Sequence, residues 1–419
     1  MKVFKFGGAS IRNAGAIRNM AEILSGYDQK NLVVVVSAMG KTTNALEKIL
    51  ALKSNGDNCT DEFSALCEYH QIVCSELDLD HDPYKSRLSS LFDELERKIN
   101  SLKVTDDYNF AYDQIVSNGE LISSTIITSF LNSQGITTCW SDARKLIRTD
   151  NRFREASIDW ESTKMQIQRA IPDLANSGII LTQGFIGGTL AGDTTTLGRE
   201  GSDFTGAIFS YCLDAESLTI WKDVPGILNA DPKRVTNTKK FKQLSYQEAA
   251  EMTYYGASVI HPKTIKPLAN KSIPLHVKSF DSPQEEGTVI DEGEKHKLYP
   301  ALIFKDNQVL ISFQVKDLAF IDERNLSIIF HVLDKLNIKI NVMQNSAVSL
   351  SICINDEPQK INELINTLQY DFRILYNKGL LLTTVKNYDQ ATIDDVSFEK
   401  NILLEQRTRN TYQIVMEAN

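Results

Sequence analysis

The stretch KVFKFGGAS, residues 2–10, starts as a short apolar strand over Lys2–Phe6 and breaks at Gly7-Gly8. A strand that ends in paired glycines and passes into a helix is how an α/β fold begins. The next residues fit, because Ile17, Met20, Ile23 and Leu24 recur at helical spacing over 11–25 and the pattern ends at Gly26. LVVVV (32–36) is apolar at every position. A strand with one wet face would alternate, so this one reads as central and covered on both faces. SAMG (37–40) and a helix from about Thr43 to Leu52 follow, and then a long amphipathic stretch, 56–102, reads as a helical insertion. The pattern resumes with a helix over Phe110–Asn132 and strands over Thr137–Trp140 and Ile179–Thr182. A Gly/Thr-rich segment (183–203, six glycines), a helix over Thr205–Leu213 and a strand over Leu218–Trp221 complete it. Strands alternating with helices predict an α/β, three-layer sandwich around a mainly parallel sheet.

Further on the texture changes. SPQEEG (282–287) and Asp291–Lys297 are polar and charged and read as a linker. Beyond it come a strand (Val309–Val315), a helix (Glu323–Leu336), two strands (Ile338–Met343, Ala347–Ile354) and a helix (Pro358–Leu368). That order, βαββα, is half of a ferredoxin-like α+β unit. Gly379–Val385 starts a second copy whose expected long helix is replaced by the short polar segment Asn387–Lys400. A hairpin, Ile402–Gln406 and Thr411–Met416, closes it around Arg409-Asn410.

The 419 residues, 42% hydrophobic and 24% charged, allow two to three globular domains. A net charge of −9 gives no electrostatic reason to bind nucleic acid or an anionic membrane. No apolar run approaches the ~20 residues a spanning helix needs, and the first residues lack the apolar core of a secretory signal. Six scattered cysteines without a CxxC pair argue against zinc or a disulfide framework and fit a reducing, cytoplasmic setting.

Several segments have the chemistry to hold phosphate. KFGG (5–8) lets backbone approach a ligand closely and puts the Lys5 ammonium beside free helix N–H groups; the same residues also suit a plain tight turn. Gly40-Lys41-Thr42 looks like the end of a Walker A loop, but that template needs Gly where Val35 stands, and no GxGxxG follows a strand. Ser37–Gly40 can still cradle phosphate with main-chain N–H groups. TTTLGREGSD (194–203) is the richest stretch: Arg199 is suited to a bidentate carboxylate clamp, while Ser202 or Asp203 serves equally as a helix cap. Glu120 sits in a helical pattern, where most Glu are solvated, and His261 between Ile260 and Pro262 reads as structural.

Taken together, KFGGAS (5–10), VSAMGKTTN (36–44), SNGELISS (117–124), ARKLIRTD (143–150), TQGFIG (182–187), TTTLGREGSDFTGA (194–207), WKDVPGILNADPKRV (221–235) and YYGASVIHPKT (254–264) resemble the aspartate kinases of the amino acid kinase family. The resemblance covers about 1–290, and the tail looks like the ACT-type regulatory region usual there. It implies a catalytic domain over 1–290, with 56–102 inserted, and an ACT-type region over 298–419 for regulation and dimerisation. It also implies MgATP-dependent phosphorylation of the side-chain carboxylate of L-aspartate, an entry step to lysine, threonine and methionine synthesis, by a cytoplasmic homodimer or higher homo-oligomer.

By match to the motifs, Lys5, Gly7 and Gly8 hold the transferring phosphoryl group and Asp203 organises Lys5. Arg199 clamps the aspartate α-carboxylate, Glu120 takes its ammonium, and Thr43 and Ser202 add hydrogen bonds. ATP meets Ser37, Ala38, Lys222, Asp223, Gly226, Lys233 and Ser258, with Mg²⁺ held by phosphates and water and no protein metal site. Asn341, Val342, Gln344 and Ser346 stand at the family's amino-acid effector site.

Three departures follow. Lys222 replaces the usual Thr of W-T-D-V, Ser258 replaces the usual Lys of G-A-K-V, and Asn341 and Ala347 stand where acids are often found in the effector loop. The first two read as a cation moved across the nucleotide pocket, and the third weakens the case for feedback inhibition. Two alternatives compete: a kinase for glutamate or N-acetylglutamate, and a catalytically silent amino-acid sensor. No dinucleotide fingerprint occurs, so a fused homoserine dehydrogenase is not expected.

Overall fold

A computed structural model describes residues 1–105, 107–257, 260–293, 299–316 and 320–418. The chain forms two compact units, one from 1–227, 240–250 and 259–294, the other from 228–239, 251–258 and 295–419.

The first unit opens with β1 (Lys2–Phe6), a 3-10 turn (Gly8–Ile11), α1 (Ala14–Ser25), β2 (Leu32–Val36) and α2 (Thr42–Asn55). Next come α3 (Thr60–Glu76), α4 (Tyr84–Ser101), α5 (Tyr108–Val116), α6 (Asn118–Ser133), β3 (Thr138–Ser141), α7 (Ala143–Leu146) and α8 (Trp160–Ala175). Then follow β4 (Ile179–Gln183), a small hairpin of β5 (Ile186–Gly188) and β6 (Thr194–Thr196), α9 (Gly201–Cys212) and β7 (Ser217–Lys222). The last elements are β8 (Gln243–Ser245), α10 (Tyr246–Tyr255), which runs into residues of the second unit, α11 (Pro262–Ala269), β9 (Leu275–Ser279) and β10 (Thr288–Asp291).

Eight strands make one sheet in the order β3-β4-β2-β1-β7-β9-β10-β8, parallel throughout except where β10 meets β9. The all-apolar β2 lies inside it, between β1 and β4, as burial on both faces requires. One face carries Phe4, Phe6, Val34, Val36, Leu181 and Trp221 into a core shared with α1, α2 and α6. There Phe6 stacks on Trp221 at 5.9 Å between centroids. Burying one such side chain fully contributes about 1.5–3 kcal/mol. The other face carries Val3, Lys5, Val33, Val35, Leu218 and Ile220, all buried, with α9 packed on β1, β2 and β7.

The 56–102 insertion is helical, as expected, and consists of α3 and α4. The single helix expected over Phe110–Asn132 is divided at Ser117. Asn118 Nδ2 donates to the carbonyls of Gln114 and Ile115, taking acceptors that a continuous backbone ladder would use. The linker expected from 282 is also corrected in part. Thr288–Asp291 pairs with both β8 and β9, because Thr288 and Ile290 alternate into the core despite their charged neighbours. Residues 294–297 of that expected linker lie outside the described residues.

The second unit contains β11 (Ala301–Val315), α12 (Glu323–Lys335), β12 (Ile340–Asn345), β13 (Ser349–Asn355), α13 (Pro358–Leu368), β14 (Phe372–Lys386), α14 (Gln390–Ser397), β15 (Ile402–Arg407) and β16 (Thr411–Glu417). Its six strands form one antiparallel sheet, β12-β13-β11-β14-β16-β15. The long β11 and β14 pair along most of their length, and β14 also carries β16, so the two ferredoxin-like halves share one sheet rather than standing as separate copies. The segment Asn387–Lys400 does hold a helix, the eight-residue α14, capped where Asp389 accepts the Thr392 N–H.

Candidate active site

Strand register, not chain proximity, builds this site. Lys5 pairs with Ile220 across the parallel β1–β7 ladder, and residues opposite one another point to the same face. Lys222, two residues after Ile220, therefore shares the face of Lys5, one step closer to the sheet's C-terminal edge. Open α/β sheets bind ligands at that edge. The helix covering this face is α9, and Gly206 makes the close approach possible: a Cβ there would sit 3.0 Å from Leu218 and 3.7 Å from the Lys5 Cβ.

Asp203, in the first turn of α9, is thereby brought between two ammonium groups. Lys5 Nζ lies 2.6 Å from its Oδ1 and Lys222 Nζ 3.4 Å from its Oδ2. Burial pushes the Asp203 carboxyl up, but Lys5 and then Lys222 outweigh it and hold the group below its ordinary value. The ionised form is also favoured by the helix N-terminus.

Two main-chain turns close around Lys5. Its Nζ is 3.4 Å from where a Cβ on Gly7 would stand. Gly40 N–H donates to the Gly8 carbonyl at 3.1 Å, and a Cβ on Gly8 would come within 2.8 Å of the Ala38 carbonyl oxygen. The KFGG and SAMG segments thus form one double turn that admits no side chain at position 8. Gly119 does the same for α6, since a Cβ there would lie 2.9 Å from Ala38 Cβ.

That contact delivers Glu120. Its Oε1 accepts the Ala38 N–H at 3.2 Å, while its Oε2 is buried without a hydrogen-bond partner. Burial raises its pKa to about 8, against the Ala38 bond and the attraction of Lys5. A buried carboxyl oxygen left open beside a lysine-rich turn is suited to receive a cationic ligand group.

Ser202 and Thr43 are half-buried, and Arg199 is exposed. Arg199 makes no hydrogen bond or ion pair with another described residue. It follows Gly198 (φ +75°) and precedes Glu200 (φ +55°), both left-handed, so the backbone turns sharply before α9. Ser202 packs on Gly184, where a Cβ would come within 2.6 Å of Ser202 Cβ. Ser37 accepts a hydrogen bond from Ser123 Oγ at its carbonyl. Asp223 is exposed and lines a groove of about 200 Å³ with Arg12, Asn13 and Asp281. Gly226, at φ +140°, lies against Thr288. Lys233 belongs to the second unit, where its N–H donates to Asp231, and Ser258 lies outside the described residues.

Asp113 escaped the sequence reading. It is buried in α5 and accepts from the N–H and Oγ1 of Thr196 and from the N–H of Arg154. It anchors the β6 strand that leads to Arg199. An acid inside a helix carries no local signal of such a task.

In the second unit Asn341 is already engaged. Its Nδ2 donates to Gln308 and Asn355 and its Oδ1 accepts from Lys305 Nζ at 2.8 Å. Val342 points into a core cluster with Leu310, Cys353 and Leu382, Gln344 is exposed, and Ser346 bonds to Ser349. Of the four expected effector residues, three side chains are therefore engaged within the fold.

The sequence pattern of the amino acid kinase family matches residues 1–279. Lysine-sensitive aspartokinase 3 of Escherichia coli (strain K12) is 32% identical over 362 residues, 84% of this chain and 78% of that one. A chloroplastic bifunctional aspartokinase/homoserine dehydrogenase of Arabidopsis thaliana is 30% identical, and the chain spans 42% of its length. The crystal structure of E. coli aspartokinase III with aspartate and ADP superposes with a TM-score of 0.84, at 27% identity, over 100% of this chain and 96% of that one. A second structure of that enzyme, with lysine and aspartate, gives 0.82 at 27% identity over 99% and 95%.

Proposed function

The chain belongs to the amino acid kinase family, and from that premise we infer that it is an aspartate kinase, transferring the γ-phosphoryl group of ATP to the side-chain carboxylate of L-aspartate in amino-acid biosynthesis. The observation that carries this reading is the buried Lys5–Asp203–Lys222 cluster beside Gly7 and Gly8, with the open carboxyl of Glu120 in the same unit. Attacking carboxylate and phosphate are both anionic, so the chief task is to neutralise charge and align them in line. An oxygen of the substrate carboxylate forms a bond to γ-phosphorus, the bond to the β-phosphate oxygen breaks, and ADP leaves with that electron pair. The substrate carboxylate is already ionised, so no protein base is needed.

Lys5 and the turn at Gly7-Gly8 meet the transferring group, and Asp203 holds Lys5 in place. Glu120 takes the aspartate ammonium, Arg199 its α-carboxylate, and Thr43 and Ser202 add hydrogen bonds. Ser37, Ala38, Lys222, Asp223 and Gly226 meet the nucleotide. Among the described residues no group of three His, Cys, Asp or Glu could form a cation cage. Mg²⁺ travels on the phosphates, where it neutralises charge. The antiparallel sheet of the second unit lies in an ACT-type region spanning 298–419, through which the chain forms a homodimer or higher homo-oligomer; 1–290 is the catalytic domain, although its segments 228–239 and 251–258 cluster with the second unit. Six unpaired thiols fit a cytoplasmic enzyme.

A hydroxamate assay with MgATP tests the substrate. L-Aspartate should give product, and glutamate and N-acetylglutamate should give little. The absence of aspartate-dependent turnover, or turnover equal to that of Lys5→Ala, would overturn the reading. Repeating the assay with lysine and with threonine tests for an effector, and sedimentation across a concentration series tests the oligomer.

A further inference from the structure

We propose that Lys222 is a second catalytic cation for this reaction, gripping the γ-phosphoryl group from the side opposite Lys5. The inference deepens the aspartate kinase reading and rests on it. The register of β1 and β7 puts Lys5 and Lys222 on one face, and one carboxylate, Asp203, touches both: Lys5 at Oδ1 and Lys222 at Oδ2. A group that spans the two oxygens of a carboxylate also fits two oxygens of a phosphoryl group, which are similarly spaced.

The burial of the two side chains differs in a telling way. Lys5 is 9% exposed and Asp203 4%, whereas Lys222 is 22% exposed and lies at the open end of β7. The deep pair sits at the base of the cluster, and Lys222 is its more exposed member, on the side nearer solvent. Lys5, Asp203 and Lys222 together carry one net positive charge beside the N-terminus of α9, and an arriving phosphoryl group supplies the missing negative charge. In this arrangement Asp203 is a positioning residue for two lysines. Its carboxylate holds both ammonium groups close until the phosphate replaces part of its role. Charge on the phosphoryl oxygens and the leaving oxygen changes most in the transition state, so a cation there accelerates transfer more than it tightens ground-state binding.

The test uses the full chain with Lys222→Met and Lys222→Arg, and Lys222→Thr as a smaller substitute if the Met variant fails to fold. Calorimetric titration with MgATP and with MgADP isolates the γ-phosphate, which only ATP has. Removing the charge should weaken MgATP about tenfold or more and MgADP less than threefold. Steady-state assays should show kcat lower by about 100-fold with the aspartate KM within threefold, and Arg should restore at least a tenth of kcat. Equal weakening of the two nucleotides, or kcat within threefold of the unchanged protein, would overturn the inference. Failure of the unchanged protein to turn over L-aspartate would instead sink the functional reading, so the two failures are separable.

Discussion

Glu120 and Asp203 are both buried carboxyls, and their surroundings push them in opposite directions. For Glu120, burial dominates and raises the pKa to about 8. The empty site therefore holds a mostly neutral Glu120 at pH 7, while an ammonium ligand needs the carboxylate. The KM for aspartate should fall as pH rises from 6 to 8, by up to tenfold per unit, and level off above 8. A flat profile of KM against pH would contradict this assignment. The same shift means that the folded protein binds more protons at this residue than the unfolded chain between about 4.5 and 8, so its contribution to stability falls as pH rises through that window. Glu120→Gln should flatten that slope and raise the Tm at pH 8, while raising the aspartate KM about 100-fold through loss of a charged hydrogen bond. Asp203 runs the other way. Its lowered pKa contributes stability that is present above the ordinary Asp value and is lost as pH falls through the folded value. Asp203→Asn should cost about 3–5 kcal/mol by chemical denaturation at pH 7, because two lysines lose their shared partner, and should make the acid limb of stability shallower.

At the scale of the element, the site is two turns pressed together. Gly8→Ala would place a methyl carbon 2.8 Å from the Ala38 carbonyl, a backbone atom that cannot step aside cheaply. The expected result is a loss of about 1–3 kcal/mol in stability with a larger loss in kcat, because the KFGG and SAMG turns separate. An alanine variant with unchanged kcat would show that this contact does not shape the site. These turns were legible in the sequence, since each follows a strongly apolar strand and announces itself by glycine. The helical insertion and the paired strands of the tail were legible for the same reason of local period. Three features were not. The break at Ser117 depends on where the Asn118 side chain finds acceptors. The strand Thr288–Asp291 has too few apolar residues to outweigh its charged neighbours. The fusion of the tail into one sheet depends on how far β11 and β14 pair.

Over the whole molecule, each compact unit has its own core, the first around Phe6, Val34 and Trp221 and the second around Val309, Ile352 and Phe372. Calorimetry should resolve two transitions, and MgADP at 100 times its Kd should raise only one, by an amount equivalent to about 2.7 kcal/mol. A single transition that moves as one with nucleotide would show that the units unfold together. Local pattern in the chain was enough to determine the strand–helix alternation, the glycine turns and the motifs that mark a kinase, because these depend on neighbours a few residues apart. Only the tertiary structure decided that Lys222 turns toward Asp203 and Lys5, that Glu120 keeps one oxygen open, and that Asn341 is held by Lys305. The first depends on pairing between strands more than 200 residues apart, the other two on a helix and strands packed from distant parts of the chain, and the energy of a charge is set by what the fold brings beside it.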